Sequence, residues 1–370
     1  MTDTASSSRP KVVLTRPLPT CILDEAKAAG AIDLKIWKDA ERPADRDWLL
    51  RSVEGADAVL VMMSDKVDAE LLDRAGPSLK IVSCMSVGYD HVDTAELKRR
   101  GIRLGHTPDV LNAAVADLVL LLILSTTRLL PNAKRTVDEG RWPQTPWAPL
   151  SFAGPSLQGK TIGFVGFGAI AQSTLLRLLP LGPTRYIYLN SSPQPFDLDN
   201  PKFAALKAGG LERLLPAYEA VQGSRISIEN ARDLEDLSRQ SDVIVVLASL
   251  NAKTKHLIDG RCFDHMKPTA HLVNAARGPL VDTSALVSAL QQGKMAGAGL
   301  DVLEGEPVIG ASHPLLSDES IRDKVCLLPH MGSATLEARR GMSELAAANV
   351  LHQLGFAHLV EGRGSRLVQL

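Results

Sequence analysis

Short apolar runs separated by helix-like segments set the pattern of this chain. Runs over 11–16 (KVVLTR), 32–37, 56–63, 79–85 and 101–107 have the length and composition of buried strands, and helix-like stretches at 23–29, 69–75 and 94–100 lie between them. A second series begins at 160 and continues at 185–189, 242–248, 270–275, 296–302 and 325–329. Strands that are apolar almost throughout, alternating with helices, predict parallel sheets covered on both faces. Between the two series, Asn112 is placed to cap a helix from 113 to about 130, apolar on all sides and therefore buried in a core or at a subunit interface, with Pro131 ending it. The stretch 140–155, with Trp142, Pro143, Pro146, Trp147 and Pro149, reads as a loop arm. From 190 to 226 the chain is polar and proline-rich, which predicts a surface excursion with one helical piece at 211–221.

Composition narrows the classes this pattern leaves open. A chain of 370 residues has room for about two domains, each with its own core. A formal net charge of -1 supplies neither a basic field for nucleic acid nor a polybasic patch for a membrane surface. Cys21, Cys84, Cys262 and Cys326 form no C-x-x-C pair, which argues for a reducing compartment and against structural zinc. The first ten residues lack an apolar signal core, and the unbroken apolar segment 118–124 is too short to span a bilayer. A cytoplasmic protein with no metal, no nucleic-acid partner and no membrane partner is expected.

The sharpest local signal is KTIGFVGFGAIAQ, 160–172. An apolar strand runs into Gly166, Gly168 and Ala171 in the pattern G-x-G-x-x-A, and a helix-like segment follows. In that context Gly166 permits a tight turn, Gly168 lets the backbone approach a pyrophosphate, and Ala171 lets the helix lie near the sheet. The helix N-terminus presents free N–H groups to the phosphates, so Ala169 and Ile170 join the coenzyme contacts, together with Ala275 at the end of a later strand.

Three polar residues stand at the C-terminal ends of later strands: Arg277 in LVNAARG, Glu306 in DVLEGEP and His330 in LLPHMGSAT. Ligands of open α/β sheets collect at such ends. Arginine can clamp a carboxylate and polarise a neighbouring carbonyl. Histidine can protonate the alkoxide that hydride addition creates, and an adjacent carboxylate favours its charged form. Singly, each has a plain structural reading: Arg277 as a cap, Glu306 as a solvated turn, His330 as a core histidine. Together they are a sufficient kit for reducing a 2-oxo acid.

These segments, in this order, resemble the D-isomer-specific 2-hydroxyacid dehydrogenases over nearly the whole chain. In LKIVSCMSVGYDHVD, RRGIRLGHTPDVLN, PWAPLSFAG and GSATLEARRGMSELAAANV the similarity is to the glyoxylate/hydroxypyruvate reductases of that family. The resemblance implies two doubly wound, Rossmann-like α/β domains, with a coenzyme domain (113–334) inserted into a substrate domain (10–112 plus 335–360). It implies Arg277 as the substrate-binding arginine, His330 as proton donor, Glu306 as its acidic partner and Asp301 as the holder of the nicotinamide carboxamide. It further implies that backbone N–H groups of Val87 and Gly88 take the substrate carboxylate, with Ser333 nearby, and that Trp147 reaches across a homodimer to cover the partner's substrate.

About 24 residues after Gly166 the second strand of this unit ends at Asn190, where an NAD-type site carries Asp or Glu. Asn190 removes the charge that repels a 2′-phosphate, and Ser191 and Ser192 add hydroxyl donors. Related reductases place an arginine where Ser191 stands. NADP(H) is therefore the expected preference, with NAD(H) as a second coenzyme. The expected activity is reduction of glyoxylate to glycolate and of hydroxypyruvate to D-glycerate. The alternatives are another D-2-hydroxyacid dehydrogenase, of broad 2-oxo acid or phosphoglycerate type, and a non-enzymatic dinucleotide-sensing corepressor.

Overall fold

The structure, a computed structural model, describes residues 9–192 and 194–370. The chain divides into two compact units: residues up to Leu111 together with Ala334–Leu370, and Asn112–Ser333.

The first unit holds five parallel strands, β1 (Lys11–Leu14), β2 (Asp33–Ile36), β3 (Ala58–Val61), β4 (Ile81–Cys84) and β5 (Arg103–Gly105), in the order β2-β1-β3-β4-β5. β3 and β4 are buried along their whole length, as strands covered on both faces must be. Helix Leu336–Gln353 returns to this sheet late in the chain, burying Ala346, Ala347, Val350 and Leu351. Ser83 in β4 donates its hydroxyl to the Ala346 carbonyl at 2.9 Å. Helices Ala69–Ala75, Thr94–Arg100 and Leu336–Gln353 start at Asp68, Asp93 and Thr335, whose side chains accept an N–H of the first turn.

The second unit holds seven parallel strands: β6 (Thr161–Val165), β7 (Arg185–Leu189), β8 (Ser227–Asn230), β9 (Val243–Val246), β10 (His271–Asn274), β11 (Gly297–Leu300) and β12 (Val325–Leu327). Their order is β8-β7-β6-β9-β10-β11-β12. Strand order reverses at β6, which pairs with β7 on one side and β9 on the other. The carboxyl end of β6 is thus the switch point where such sheets open a crevice. Both units are doubly wound parallel α/β layers, as expected.

Three expectations change. Asn112 is the first helical residue rather than a cap, and the helix Asn112–Thr127 stops before Pro131. Leu129 takes a left-handed conformation (φ 53), and a second helix, Leu130–Asp138, starts with the proline in its first turn, where the missing N–H costs nothing. The two helices meet at a bend of 70°; among the described residues no single helix is long and apolar enough to cross a membrane. The third change concerns 190–226. It contains helices Ala204–Ala208 and Leu211–Gln222, and Phe203, Leu206 and Leu211 are buried, so part of the stretch is core. The edge strand β8 follows directly; its half-exposed sequence SIEN carries no apolar run for a pattern to detect.

Candidate active site

The glycine turn is built as its spacing predicts. Gly166 sits at φ 87, and a Cβ there would stand 2.7 Å from the Ala248 nitrogen, so only glycine fits the close crossing of two strand ends. Gly168 caps helix Ala169–Leu178, and the space a Cβ would enter at Gly168 contains no protein atom within 4 Å. Ala171 is buried against the sheet while Ala169 and Ile170 remain partly open at the helix start. An open approach to unpaired helix N–H groups is the donor set a pyrophosphate needs, and the residues present fit a dinucleotide. Asn190 directly follows β7 and accepts the Phe167 N–H on Oδ1 at 2.7 Å; Ser191 and Ser192 come next, exposed.

The turn bearing His330 is organised by Asp301, which is 1% exposed at the end of β11. Its carboxylate accepts the N–H groups of Met331 (2.8 Å) and Gly332 (2.7 Å), and its carbonyl accepts that of His330 (2.7 Å). Burial pushes the Asp301 carboxyl up, against the pull of those two donors. The three bonds hold His330 in a left-handed conformation, φ 52. Its Nδ1 meets Glu306 Oε1 at 3.0 Å. With Nδ1 engaged by a carboxylate, Nε2 is the ring nitrogen free to exchange a proton. Two residues 24 apart in sequence are thereby joined as an acid–imidazole pair. Ser333, half-buried, follows this turn.

Arg277 lies in extended backbone just past β10, next to Ala275 and Ala276. Asn274, buried at the end of that strand, accepts the Ala276 N–H (3.0 Å) and donates to the Arg277 carbonyl (2.8 Å), which fixes the path of the turn. Arg277 Nη1 donates to the Ala276 carbonyl at 2.8 Å. Gly278 is wedged against the next loop: a Cβ would lie 2.1 Å from the Leu303 carbonyl carbon.

A second imidazole–carboxylate pair joins these loops, and nothing in the linear pattern announces it. His256 Nε2 meets Glu304 Oε1 at 2.7 Å, and Thr283 donates its hydroxyl to the other Glu304 oxygen at 3.0 Å. The His256 N–H donates to the Pro279 carbonyl at 2.8 Å. The Arg277 turn is therefore tied on one side to 256–258 and packed on the other against 303–304, two residues from Glu306. The only sequence signal is the doubled acid in LEGEP.

Val87 and Gly88 belong to the first unit, after β4. Ser86 donates its hydroxyl to the Gly88 carbonyl (2.6 Å), and His106 Nδ1 lies 3.2 Å from the Val87 carbonyl, so both oxygens are held by protein groups. Trp147 stands on the arm of the second unit with 92% of its surface open, and Trp142 and Leu150 on the same arm are also exposed. The structure brings Glu306, His330 and Asp301 together through hydrogen bonds, while Trp147 stands open on its arm.

Comparison with known proteins sets this geometry in a context. The profile of the D-isomer specific 2-hydroxyacid dehydrogenase NAD binding domain matches residues 120–222 and 218–332. The chain is 40% identical over 344 residues to a glyoxylate reductase of Thermofilum pendens, covering 93% of this chain and 91% of that one. It is 38% identical over 341 residues to the human glyoxylate reductase/hydroxypyruvate reductase, covering 92% and 94%. Among solved structures, the NADPH-dependent glyoxylate/hydroxypyruvate reductase of Sinorhizobium meliloti, crystallised with NADP and malonate, superposes with a TM-score of 0.73 at 30% identity, covering 98% and 97%.

Proposed function

The chain belongs to the D-isomer-specific 2-hydroxyacid dehydrogenases and is an NAD(P)-dependent oxidoreductase; from that premise we propose that it reduces small 2-oxo acids, glyoxylate to glycolate and hydroxypyruvate to D-glycerate, with NADPH preferred. The observation that carries this reading is the His330–Glu306 pair at 3.0 Å, on a turn fixed by Asp301.

The second unit is the coenzyme domain and the first the substrate domain. The reduced nicotinamide, when bound, supplies a hydride to C2 of the substrate. The protein's residues divide the rest. Arg277 pairs with the substrate carboxylate and polarises the keto oxygen, while the N–H groups of Val87 and Gly88 share the carboxylate. His330 delivers a proton from Nε2 to the oxygen at C2, and Glu306 holds Nδ1–H so that the ring presents the right nitrogen. Asp301 sets the His330 turn and offers its remaining acceptor capacity to the nicotinamide carboxamide. Ser333 adds a polar contact. Trp147, with the exposed apolar arm around it, covers the substrate of a second subunit in a symmetric homodimer.

Purified protein is tested by following NADPH oxidation with glyoxylate and with hydroxypyruvate, then repeating both with NADH. Turnover with higher kcat/KM for NADPH is expected. Absence of turnover with any small 2-oxo acid would refute the reading and favour a dinucleotide sensor.

A further inference from the structure

Residues 194–206 take no part in the chemistry above, yet they are tied to the coenzyme turn through Gln172 and Tyr188. We propose that the segment 194–206 is an anchor for the coenzyme-specificity loop, and that Tyr188 and Gln172 are positioning residues through which it sets the preference for a 2′-phosphorylated dinucleotide. This rests on the coenzyme reading given above.

The peptide groups of Phe167, the residue between the two glycines of the turn, are both committed. Its N–H goes to Asn190 Oδ1 at 2.7 Å, and its carbonyl accepts Gln172 Nε2 at 3.1 Å. Gln172 is 2% exposed, and the rest of its hydrogen-bonding capacity is spent on the segment: Nε2 also donates to the Lys202 carbonyl (2.7 Å), and Oε1 accepts the Leu206 N–H (3.2 Å). One buried side chain therefore ties the glycine turn to the start of helix Ala204–Ala208. A helix-interior glutamine facing only the sheet would leave these groups unsatisfied and costly.

Aromatic packing repeats the tie. The Phe167 ring stacks on Tyr188 with centroids 4.5 Å apart and planes 11° apart. Phe203 lies against both, at 6.2 and 5.8 Å, and Phe196 lies edge-on to Phe203 at 5.2 Å. The Tyr188 hydroxyl then donates to the Gln194 carbonyl at 2.6 Å, and Asn200 Nδ2 donates to Gln194 Oε1 at 3.1 Å.

Ser191 and Ser192 thus stand between two fixed points, Asn190 held by the glycine turn and Gln194 held by Tyr188. The orientation of Asn190 follows from the same contact. Phe167 N–H is a donor, so it faces the amide oxygen, and the amide NH₂ is the group left for a ligand. A neutral donor followed by two hydroxyls suits the oxygens of a 2′-phosphate, and holding Asn190 and Gln194 in place lowers the entropy lost when these groups close on them.

Tyr188→Phe tests this with little risk to folding, because the stack and its burial remain and only the tie to Gln194 is lost. The readouts are kcat and KM with each coenzyme and the Kd of adenosine 2′,5′-bisphosphate, a probe of the adenosine end alone. KM for NADPH and the Kd of the probe are expected to rise about 3- to 10-fold, the effect of one hydrogen bond. KM for NADH and kcat should stay within about twofold of wild type, as expected when a contact to the shared part of the ligand is unchanged. Phe196→Leu, which loosens the far side of the ring cluster at a half-exposed site, should move the same ratio in the same direction. A merely structural loss would lower activity with both coenzymes equally. An unchanged NADPH/NADH ratio in both variants, in a wild type that prefers NADPH, would overturn the anchor and leave the coenzyme reading standing. A wild type that binds neither NADPH nor the probe preferentially would overturn both.

Discussion

The two units carry the same kind of sheet, and each has a strand where the order reverses, β1 in one and β6 in the other, but the turns that leave those strands are opposites. After β1 the chain runs Thr15-Arg16-Pro17-Leu18-Pro19 before helix Ile22–Ala28 begins. Thr15 is fully buried, its N–H donates to the Leu60 carbonyl (3.1 Å), and its hydroxyl is bonded to Asp65, which also accepts the Met62 N–H (2.8 Å). That turn is closed to a ligand: two prolines remove donors, and Thr15 and Asp65 satisfy each other inside it. After β6 the helix starts within four residues, at Ala169, with open space at Gly168 and helix N–H groups at its mouth. Topology offers a crevice in both sheets, and turn chemistry decides which of them receives a phosphate.

The contrast can be broken at several points, the largest effect coming first. His330→Gln keeps the turn bonds to Asp301 but removes the transferable proton; kcat should fall by about 10²–10⁴-fold with smaller change in coenzyme KM, read by steady-state kinetics. Next comes a matched pair in the two turns. Gly166→Val should weaken coenzyme binding by about 100-fold, from about 1–2 kcal/mol of backbone strain at φ 87 and a comparable cost of overlap with Ala248. Thr15→Val should cost about 1–3 kcal/mol of stability by taking a donor from buried Asp65, while coenzyme Kd, measured by fluorescence titration, stays at the wild-type value.

The units should also separate under acid. His271 is buried in β10, and burial pushes its pKa down from 6.5 to about 4. The unfolded chain therefore binds more protons between these values, and stability is full above pH 6.5 and falls as pH drops towards 4. At pH 5 the loss is about 2 kcal/mol, from about 1.4 kcal/mol per unit of the window crossed. Asp65 in the first unit works the other way: burial raises its carboxyl pKa, so the folded form takes up a proton first and gains stability as pH falls through that raised pKa. His271→Leu should shrink the drop in melting temperature between pH 7 and pH 5; an equal drop in wild type and variant would refute this assignment. The smallest shift is in the coenzyme. Asn190→Asp can still accept the Phe167 N–H, but its charge should move the NADPH/NADH ratio of kcat/KM about 10-fold towards NADH, the scale of a like-charge contact near a surface.

Much of this organisation was legible in the sequence, for a physical reason. Strands buried on both faces are apolar throughout, so β3, β4 and β6 stand out as runs, while β8, a polar edge strand, does not. Pro131 reads as a stop because proline breaks helix interiors; that it opens a new helix depends on Leu129 adopting a left-handed turn, which no pattern encodes. The excursion reads as surface because its composition is polar, and among the described residues only four apolar side chains, Phe203, Leu206, Leu211 and Ile226, carry it into the core. The His330–Glu306 pair was readable because both residues sit at strand ends in recognisable segments. The His256–Glu304 pair joins positions 48 apart through geometry alone, and it had to be seen.

The division of the chain also fixes an order of events during synthesis. The second unit is one uninterrupted run, Asn112–Ser333, and all seven of its strands have been synthesised once that run is made. The first unit begins earlier and finishes later. β3, β4 and β5 are available by residue 105, but the helix whose Ala346, Ala347, Val350 and Leu351 cover that sheet is made some 230 residues afterwards. At about 5–20 residues per second, the first sheet waits on the order of ten to fifty seconds with an apolar face uncovered while the second unit is made. The nascent chain is therefore a natural client for a holding chaperone during that interval, and its part in greatest need of one is the unit made first.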